Sequence, residues 1–416
     1  ADCDGDGMVD IEQIARGLAT DADCNGIPDE CLPPAGTGAC CTGLDICVIT
    51  NSEDCTGFYF DQQTCDEIDC FDKVTVDPDA EGDDPANGIF STIQGAIDAS
   101  YDGMTISVMA GTYTGEGDSV ITLPAHGITI RGIDGAENTF IDGQGVRRGL
   151  IGDGCGDNGT VIEGLTIQNG WNGWGGGGIM LTDCSPDFID CMIRNNSSIM
   201  PGGHEVGGGA YLLGSNCEPT FTNCDFVDNS AVHGGGVRIE GDADATHPQA
   251  TFTNCLFSGN SGQWYGGGVQ SNDADPEFTD CEFNGNTAAY SGGGLYISTS
   301  NATLTRCTFS QNTTTLVDEV DAAKGGAGLS VSQSNPVIDD CTFTLNDSAQ
   351  SGGGLHVKNT SFATLIGCEF SGNMCSDNGG AVRCIEGSES NFTDCTFTQN
   401  TAGYGAAYQS NDGIAN

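Results

Sequence analysis

The stretch that decides the fold is DPEFTDCEFNGN at residues 275–286, followed by GGGLYI at residues 292–297. Apolar and polar residues alternate over short runs, which indicates strands with one buried face. Phe278 and Phe283 are expected to point inward, and the alternation slips by one residue at Asp280, where a turn fits. No segment has room for a crossover helix. Successive strands are therefore expected to stack as coils of a parallel β-helix, about 4.8 Å apart.

The same unit recurs eight times, each time with a cysteine, an asparagine five residues later and a glycine cluster. The cysteines are separated by 26 to 34 residues, a period that marks a repeat architecture. We expect them to be reduced core residues and the asparagines to bond from coil to coil as a ladder. The ladder cysteines are Cys191, Cys224, Cys255, Cys281, Cys307, Cys341, Cys368 and Cys395. The ladder asparagines are Asn196, Asn229, Asn260, Asn286, Asn312, Asn346, Asn373 and Asn400.

The remaining cysteines and the corner insertions suggest further features. Cys184 and Cys217 each lie seven residues before a ladder cysteine, so they could bridge neighbouring coils. Cys375 and Cys384 flank one corner and are a second candidate pair. The longer repeat units contain insertions at corners, where solenoids usually carry binding function. These insertions fall at residues 200–206, 240–248 and 316–324.

Composition bears on partners and on location. The formal charge is −48, from 11 Lys and Arg against 59 Asp and Glu, which effectively excludes nucleic acid and anionic membranes as partners. The 22 cysteines are too many for a reducing compartment unless most are buried or bound to metal. We therefore expect a secreted protein, extracellular or at the cell surface, with no membrane insertion and with divalent cations offsetting its charge.

Two acidic loops near the amino terminus have the spacing of calcium ligands. Each alternates oxygen-bearing side chains around a glycine turn, as a seven-coordinate calcium ion requires. The predicted ligands are Asp2, Asp4, Asp6, Asp10, Asp21, Asp23, Asn25 and Asp29. The loops resemble those of dockerins and thrombospondin calcium repeats, although Gln13 stands where those families have an acidic ligand. Calcium is the predicted cofactor, and an acidic solvated tail is the alternative.

The pairing of F-x-x-N with a glycine-rich G-G-[AG]-[VIL] resembles the passenger repeats of chlamydial polymorphic membrane proteins. It is also similar to related β-helix proteins of environmental bacteria, and the match covers roughly residues 165–408. The resemblance implies an all-β fold, a right-handed parallel β-helix solenoid with a small cysteine-rich, calcium-binding amino-terminal module. It implies no particular activity, because β-helices host lyases, hydrolases, adhesins and scaffolds.

The chain is accordingly divided into four predicted segments. They are a dockerin-like calcium module at 1–32, a disulfide-rich module at 33–75, an acidic linker at 76–88 and the β-helix at 89–416. A helix at 90–100 is expected to cap the first coil, and the regular coils run over 165–408. The disulfide-rich module resembles small disulfide-knotted modules of secreted bacterial proteins, and its six cysteines allow fifteen pairings.

The best catalytic candidates form the row just before each ladder cysteine. In this row Arg306 lies between Asp280 and Asp340 by coil count, as a calcium-dependent polysaccharide lyase would require. Mixed Asp and Asn at a turn is equally ordinary turn chemistry, and an Arg between two Asp is an ordinary charge ladder. Because the chain has only eight Arg and three Lys, no cluster of them is expected to hold a polyanion. We predict no catalytic residues.

Aromatic and histidine residues mark the corners. Trp264 and Tyr290 share one corner position in adjacent coils, and Trp174 lies three coils earlier. Aligned aromatics can stack on sugar rings, or they can pack a corner or a subunit contact. His204 and His233 lie at corners of adjacent coils, where a transition-metal site is the alternative to exposed loop histidines.

The predicted function is structural. We expect a secreted, non-enzymatic, calcium-stabilised β-helix that assembles head-to-tail with copies of itself into an extracellular filament. Strand edges at an uncapped end are a template for another chain, and a contact between two different ends produces fibres. A carbohydrate-binding surface adhesin, with an extracellular polysaccharide as partner, is the first alternative, and a polysaccharide lyase is the second.

Overall fold

The computed structural model describes residues 37–43, 46–51, 58–61, 73–200, 206–242, 247–316 and 324–410. The chain divides into two compact units, Ala1–Ser107 with His126–Ile128 and Val108–Ala125 with Thr129–Asn416. The predicted calcium loops lie outside the described residues. In the part of the chain that the structure describes, no helix is long and apolar enough to cross a membrane.

Among its described residues, the first unit contains short strands and one α-helix. Thr37–Gly43 pairs antiparallel with Ile46–Asn51 on one side and with Phe58–Asp61 on the other. The other elements of this unit are the strands Lys73–Val76, Ile89–Phe90 and Thr105–Val108 and the 3-10 helix Pro85–Asn87. Lys73–Val76 and Ile89–Phe90 are parallel neighbours.

The α-helix spans Ile93–Asp98 and is shorter than the predicted 90–100. Thr92 caps its amino end, because the Thr92 hydroxyl accepts a hydrogen bond from the Gly95 N–H at 3.1 Å. Phe90 lies outside the helix because it ends a paired strand. The apolar face of the helix is buried, and its role as a cap on the coils stays a prediction.

The second unit is a solenoid of parallel strands, which confirms the predicted all-β parallel β-helix. Each regular coil contributes one strand to each of four sheets, and neighbouring strands in every sheet are parallel. We number the sheets along one coil. Sheet 1 precedes the ladder cysteine, sheet 2 lies between the cysteine and the ladder asparagine, sheet 3 follows the asparagine, and sheet 4 follows the glycine corner.

Sheets 1 and 2 supply ten of the eleven largest fully buried side chains among the described residues, all of them phenylalanines. In this unit, sheet 1 comprises Thr129–Gly132, Val161–Glu163, Asp187–Ile189, Thr220–Thr222, Thr251–Thr253, Glu277–Thr279, Thr303–Thr305, Val337–Asp339, Phe362–Ile366 and Glu389–Thr393. Sheet 2 comprises Gly111–Tyr113, Thr139–Asp142, Thr166–Gln168, Met192–Arg194, Asp225–Val227, Leu256–Ser258, Glu282–Asn284, Thr308–Ser310, Thr342–Thr344, Glu369–Ser371 and Thr396–Thr398.

Sheets 3 and 4 flank the glycine corner. Sheet 3 comprises Ser197–Ser198, Ser230–His233, Ser261–Tyr265, Thr287–Ala288, Thr313–Thr314, Asp347–Ser348 and Met374–Cys375. Sheet 4 comprises Ser119–Thr122, Arg148–Gly156, Ile179–Cys184, Ala210–Leu213, Val237–Glu240, Val269–Asn272, Leu295–Ser298, Leu329–Ser332, Leu355–Lys358, Val382–Cys384 and Tyr408–Ser410. The corner needs glycine because a Cβ on Gly293 would lie 2.5 Å from the Thr313 carbonyl oxygen of the next coil.

Two columns of phenylalanine fill the core. In sheet 2 the rings of Phe257, Phe283 and Phe309 stack face to face at 4.7 and 4.5 Å. In sheet 1 the rings of Phe252 and Phe278 stack at 5.0 Å. The columns meet edge to face, since Phe278 and Phe283 lie 5.5 Å apart at a steep angle. These arrangements are the favourable geometries for aromatic pairs, and all five rings are fully buried.

The asparagine ladder is built from shared hydrogen bonds. Asn286 Oδ1 accepts from the backbone N–H and from the side-chain Nδ2 of Asn260, both at 3.0 Å. Asn286 Nδ2 donates to the Phe257 carbonyl at 2.8 Å and to Asn312 Oδ1 at 3.0 Å. The same pattern repeats along the ladder. Each asparagine thus accepts a hydrogen bond from a backbone N–H that the turn leaves without a strand partner.

The ladder cysteines are free thiols in the core, with only Cys395 partly exposed. The Cys281 Sγ lies 3.4 Å from the Thr279 carbonyl oxygen, the position of a weak thiol hydrogen bond. Asp280, just before it, has a φ of 55°, which is the phase slip that the sequence predicts. The same left-handed turn precedes every ladder cysteine.

Both predicted cysteine pairs are wrong. Cys184 forms a disulfide with Cys155, whose Cα lies 4.7 Å away on the adjacent strand of sheet 4. Cys217 is a buried free thiol whose Sγ lies 3.4 Å from the Cys184 carbonyl oxygen. Cys375 and Cys384 are also buried free thiols, because they lie in different sheets, sheet 3 and sheet 4.

Candidate functional site

The outward side chains of sheet 4 form one line along the solenoid. In each strand the first and third residues face the core, so the second faces outward. Register aligns these second residues from coil to coil. We call this line the outer row: Tyr211, Arg238, Gln270, Tyr296, Ser330, His356 and Arg383. From Arg238 to Arg383 every member is at most 9% exposed, so neighbouring side chains cover the row.

A cleft of about 480 Å³ lies over the first four members of the outer row. Its other lining residues are Trp174, Val206, His233 and Tyr265 near the glycine corners and Glu240, Asn272 and Ser298 in sheet 4. Aromatic walls with a few placed polar groups are the usual composition of a small-ligand site. The cleft crosses several coils, so its long direction follows the solenoid.

One end of the cleft holds a hydrogen-bonded acidic group. Glu240 Oε1 accepts from Arg238 Nη2 at 3.1 Å, and Glu240 Oε2 accepts from the Tyr211 hydroxyl at 2.7 Å. Burial disfavours the charged form of Glu240 and by itself would raise the pKa of this side chain. The interactions with Arg238 and Tyr211 outweigh the effect of burial, so the pKa of Glu240 is lowered. Burial, followed by the Glu240 hydrogen bond, raises the pKa of Tyr211. At neutral pH the carboxylate is therefore charged and the phenol is protonated.

The middle of the cleft holds a hydrogen-bonded chain of one histidine and two amide side chains. His233 Nδ1 lies 3.1 Å from Gln270 Oε1, and Gln270 Nε2 donates to Asn272 Oδ1 at 3.3 Å. Amide groups present a donor and an acceptor side by side, which matches the paired hydroxyls of a sugar ring. These groups are held in place before any ligand arrives.

The predicted aromatics come together beside the cleft. The Trp264 and Tyr290 rings lie 6.3 Å apart, and the Tyr265 ring lies 5.7 Å from Tyr290 and 4.9 Å from Tyr296. Trp174 lines the same cleft and is 83% exposed. The structure therefore places all three predicted aromatics on one face, Trp174 within the cleft lining and the other two at its corner.

Cations also gather on this face, which the sequence analysis did not expect. Sheet 4 and its corner contain five of the chain's eleven Lys and Arg, namely Arg148, Arg238, Lys324, Lys358 and Arg383. The Lys324 Nζ lies 4.0 Å from the Tyr290 ring centroid. Reading the second residue of each strand of sheet 4 would have found Arg238 and Arg383, because that position becomes the outer row.

The row of catalytic candidates that the sequence analysis weighed lies elsewhere. Arg306 and Asp280 occupy exposed turns between sheets 1 and 2, away from sheet 4. Arg306 Nε and Nη2 donate to the two Asp280 oxygens, both at 2.7 Å, and these bonds lower the pKa of Asp280. Arg306 is thus held as a cation in an ion pair, the charge ladder that the sequence analysis gave as the alternative.

The described residues include only part of the predicted metal sites. His204 lies outside the described residues, and His233 contacts Gln270 and the Trp264 ring. Among the residues that the structure describes, no group of three His, Cys, Asp or Glu side chains could hold a metal ion. The calcium ligands predicted in the amino-terminal loops are not among those residues.

The family described as right handed beta helix region matches residues 124–287 and 235–416. No curated protein matches the sequence. Among solved structures, the chain is similar to pectate lyase Pel9A at 16% identity, covering 83% of this chain and 78% of that one, with a TM-score of 0.43. It is similar to the A-module of the Azotobacter vinelandii mannuronan C-5 epimerase AlgE6 at 14% identity, 78% and 94% coverage, and a TM-score of 0.37. An alginate lyase from Paenibacillus sp. str. FPU-7 has 14% identity, 76% and 94% coverage, and a TM-score of 0.31. Similarity at this level carries no argument about activity.

Proposed function

The chain belongs to the right-handed β-helix family, and on this premise we propose that it is a carbohydrate-binding protein whose site is the cleft on sheet 4. The observation that carries the proposal is the juxtaposition of aromatic rings and fixed polar groups. Tyr265 and Tyr296 stand beside Gln270 and Arg238 in one cleft. Sugar rings present apolar faces that stack on aromatic rings, and their hydroxyls take hydrogen bonds from amides and charged groups.

The same geometry favours binding without turnover. Glu240 is the only carboxylate among the described lining residues, and both its oxygens are engaged. Glycoside hydrolysis generally needs two carboxylates, one of them protonated. The raised pKa of Tyr211 keeps its hydroxyl protonated at neutral pH, so it is unsuited to remove a proton from a sugar ring. We therefore propose a non-enzymatic adhesin, as the first alternative of the sequence analysis had it.

Glycan binding by corner variants tests the proposal. The purified protein is screened against immobilised oligosaccharides, and the affinity for the best ligand is measured by calorimetry. Tyr265→Ala and the double variant Trp264→Ala, Tyr290→Ala should each weaken binding about tenfold, which corresponds to 1.4 kcal/mol and is within reach of a lost aromatic contact. Tyr404→Ala is the matched control, because Tyr404 is an exposed corner aromatic in the last described coil, far from the cleft.

Two outcomes contradict the proposal. One is the absence of any glycan ligand, and the other is equal binding by the corner variants and the wild type. A lyase is distinguished by the new absorbance of unsaturated sugar products, so product formation with any acidic polysaccharide would contradict the non-enzymatic assignment.

Secretion, calcium binding and filament assembly stay predictions. Electron microscopy of the native material, with calcium and then with a chelator, tests the last two together. Filaments that loosen on chelation would support them, and discrete rods under both conditions would contradict assembly. None of these outcomes alters the expectation for the cleft, because sheet 4 and its corners supply the described lining residues.

A further inference from the structure

The outer row continues beyond the cleft into a buried basic group. Ser330, His356 and Arg383 are its last three members, aligned on adjacent strands. Lys358 lies two residues after His356 in the same strand and therefore projects to the same side. Their exposures are 0% for Ser330 and His356, 3% for Arg383 and 6% for Lys358. We call these four side chains the basic pocket.

Several polar atoms of the basic pocket have no hydrogen-bond partner among the described residues. They are the Ser330 Oγ, both ring nitrogens of His356 and the Arg383 Nε. A buried polar group without a partner costs about 1–3 kcal/mol, and folded proteins leave few of them. Four such atoms on three adjacent strands indicate that an additional partner belongs there.

The charges around the basic pocket favour an anionic partner. Arg383 Nη1 donates to Ser351 Oγ at 2.7 Å, and the nearest carboxylate oxygen, on the half-exposed Asp377, is 3.7 Å from that nitrogen. Lys358 adds a second cation on the same face. The unsatisfied groups are mainly donors, and carboxylate, sulfate and phosphate oxygens are acceptors only.

We propose that the basic pocket binds an oxyanion group, a carboxylate or a sulfate. The group comes either from a free oxyanion or from an acidic substituent of a saccharide in the adjoining cleft, and the second source rests on the proposed function. Lys358 and Arg383 reorient to admit it. In the structure burial, then Lys358 and Arg383, lower the pKa of His356 and keep its ring neutral. A bound oxyanion offsets those cations, so it raises the pKa of His356 and draws in a proton.

Nuclear magnetic resonance of the histidine ring nitrogens in the full chain tests the proposal. Sodium sulfate and sodium acetate are titrated separately, with sodium chloride at equal ionic strength as the reference. We expect a saturable shift of the His356 signals and a rise of its pKa of at least one unit with one of the oxyanions. His247, which pairs with Asp275 at 3.0 Å on another part of the coil, is the internal control and should not respond.

Variants separate binding from a general effect of salt. Arg383→Gln should abolish the response, and Ser330→Ala, which removes one small hydroxyl, should weaken it while circular dichroism shows an intact solenoid. Arg306→Gln is the matched control, because it removes an exposed arginine outside sheet 4. A response that is equal in chloride, or unchanged in both pocket variants, would overturn the proposal.

A saccharide pair then distinguishes the two sources. If a uronic-acid oligosaccharide shifts His356 and the matching neutral oligosaccharide does not, the oxyanion comes from the glycan. If sulfate shifts His356 and neither saccharide does, the pocket takes free oxyanions. If a neutral saccharide binds through Tyr265 while no oxyanion affects His356, the proposed function stands and this inference fails.

Discussion

Replacing Asn286 by alanine is expected to destabilise the solenoid by about 1–3 kcal/mol. The substitution leaves one buried backbone group without a partner, which costs about 1–3 kcal/mol. This group is the N–H of Asn260, which donates to Asn286 Oδ1 at 3.0 Å, whereas the Phe257 carbonyl, which accepts from Asn286 Nδ2 at 2.8 Å, stays in the strand pairing of sheet 2. Asn312 keeps a partner, because its Oδ1 still accepts from the backbone N–H of residue 286.

Urea unfolding followed by circular dichroism measures the effect. The comparison is between midpoints at equal slope, since a changed slope would indicate a loss of cooperativity. Asn284→Ala is the matched control, because Asn284 is a half-exposed residue of sheet 2 outside the ladder, and its replacement should cost no more than about 0.5 kcal/mol. Asn400→Ala should cost less than Asn286→Ala because Asn400 is only partly buried. A loss for Asn286→Ala below about 1 kcal/mol, or one equal to that of the control, would refute the reasoning.

Three further predictions concern the core, the disulfide and pH. Phe283→Ala should cost about 3–5 kcal/mol in the same assay, because it leaves a cavity in a stacked column; a cost as small as that of the exposed Phe362→Ala would contradict this. Replacing both Cys155 and Cys184 by serine should lower the free energy of unfolding by about 3 kcal/mol, because the disulfide closes a loop with a sequence separation of 29. A wild-type protein whose stability does not change with reductant would contradict this prediction. Without oxyanions, stability should fall as pH drops below about 6.5, because the unfolded chain then protonates a histidine that burial keeps neutral in the fold. His356→Gln should flatten that slope, and an unchanged slope would count against the buried histidine as its cause.

The solenoid could be predicted because the residues that hold coils together are nearly identical from one coil to the next. Phe283 stacks on Phe257 and Phe309, and Asn286 bonds to its counterparts, so each position must repeat its neighbour. Because identical residues stack on one another, the repeat period of the coils can be recognised directly in the sequence. The turn at Asp280 could be predicted for the same reason, because its left-handed φ recurs before every ladder cysteine.

The cleft could not be recognised in the same way, because its members differ from coil to coil. Arg238, Gln270 and Tyr296 have unrelated chemistries and share only a register position. Sequence spacing between them varies with the corner insertions, so only the paired strands bring them into one line. The disulfide was missed for a related reason, since Cys155 lies in an early strand with no recognisable repeat and is aligned with Cys184 only by sheet 4.

The register of sheet 4 spaces the members of the outer row at a constant distance along the solenoid. Its members recur once per coil, about 4.8 Å apart, so the seven from Tyr211 to Arg383 span roughly 29 Å. Duplicating or deleting one whole coil changes that length by a single step and leaves the remaining contacts in place, because each repeat touches only its neighbours. Under the proposed function, the length of polymer that this face contacts is therefore set by the number of coils and can evolve separately from the chemistry of any one position.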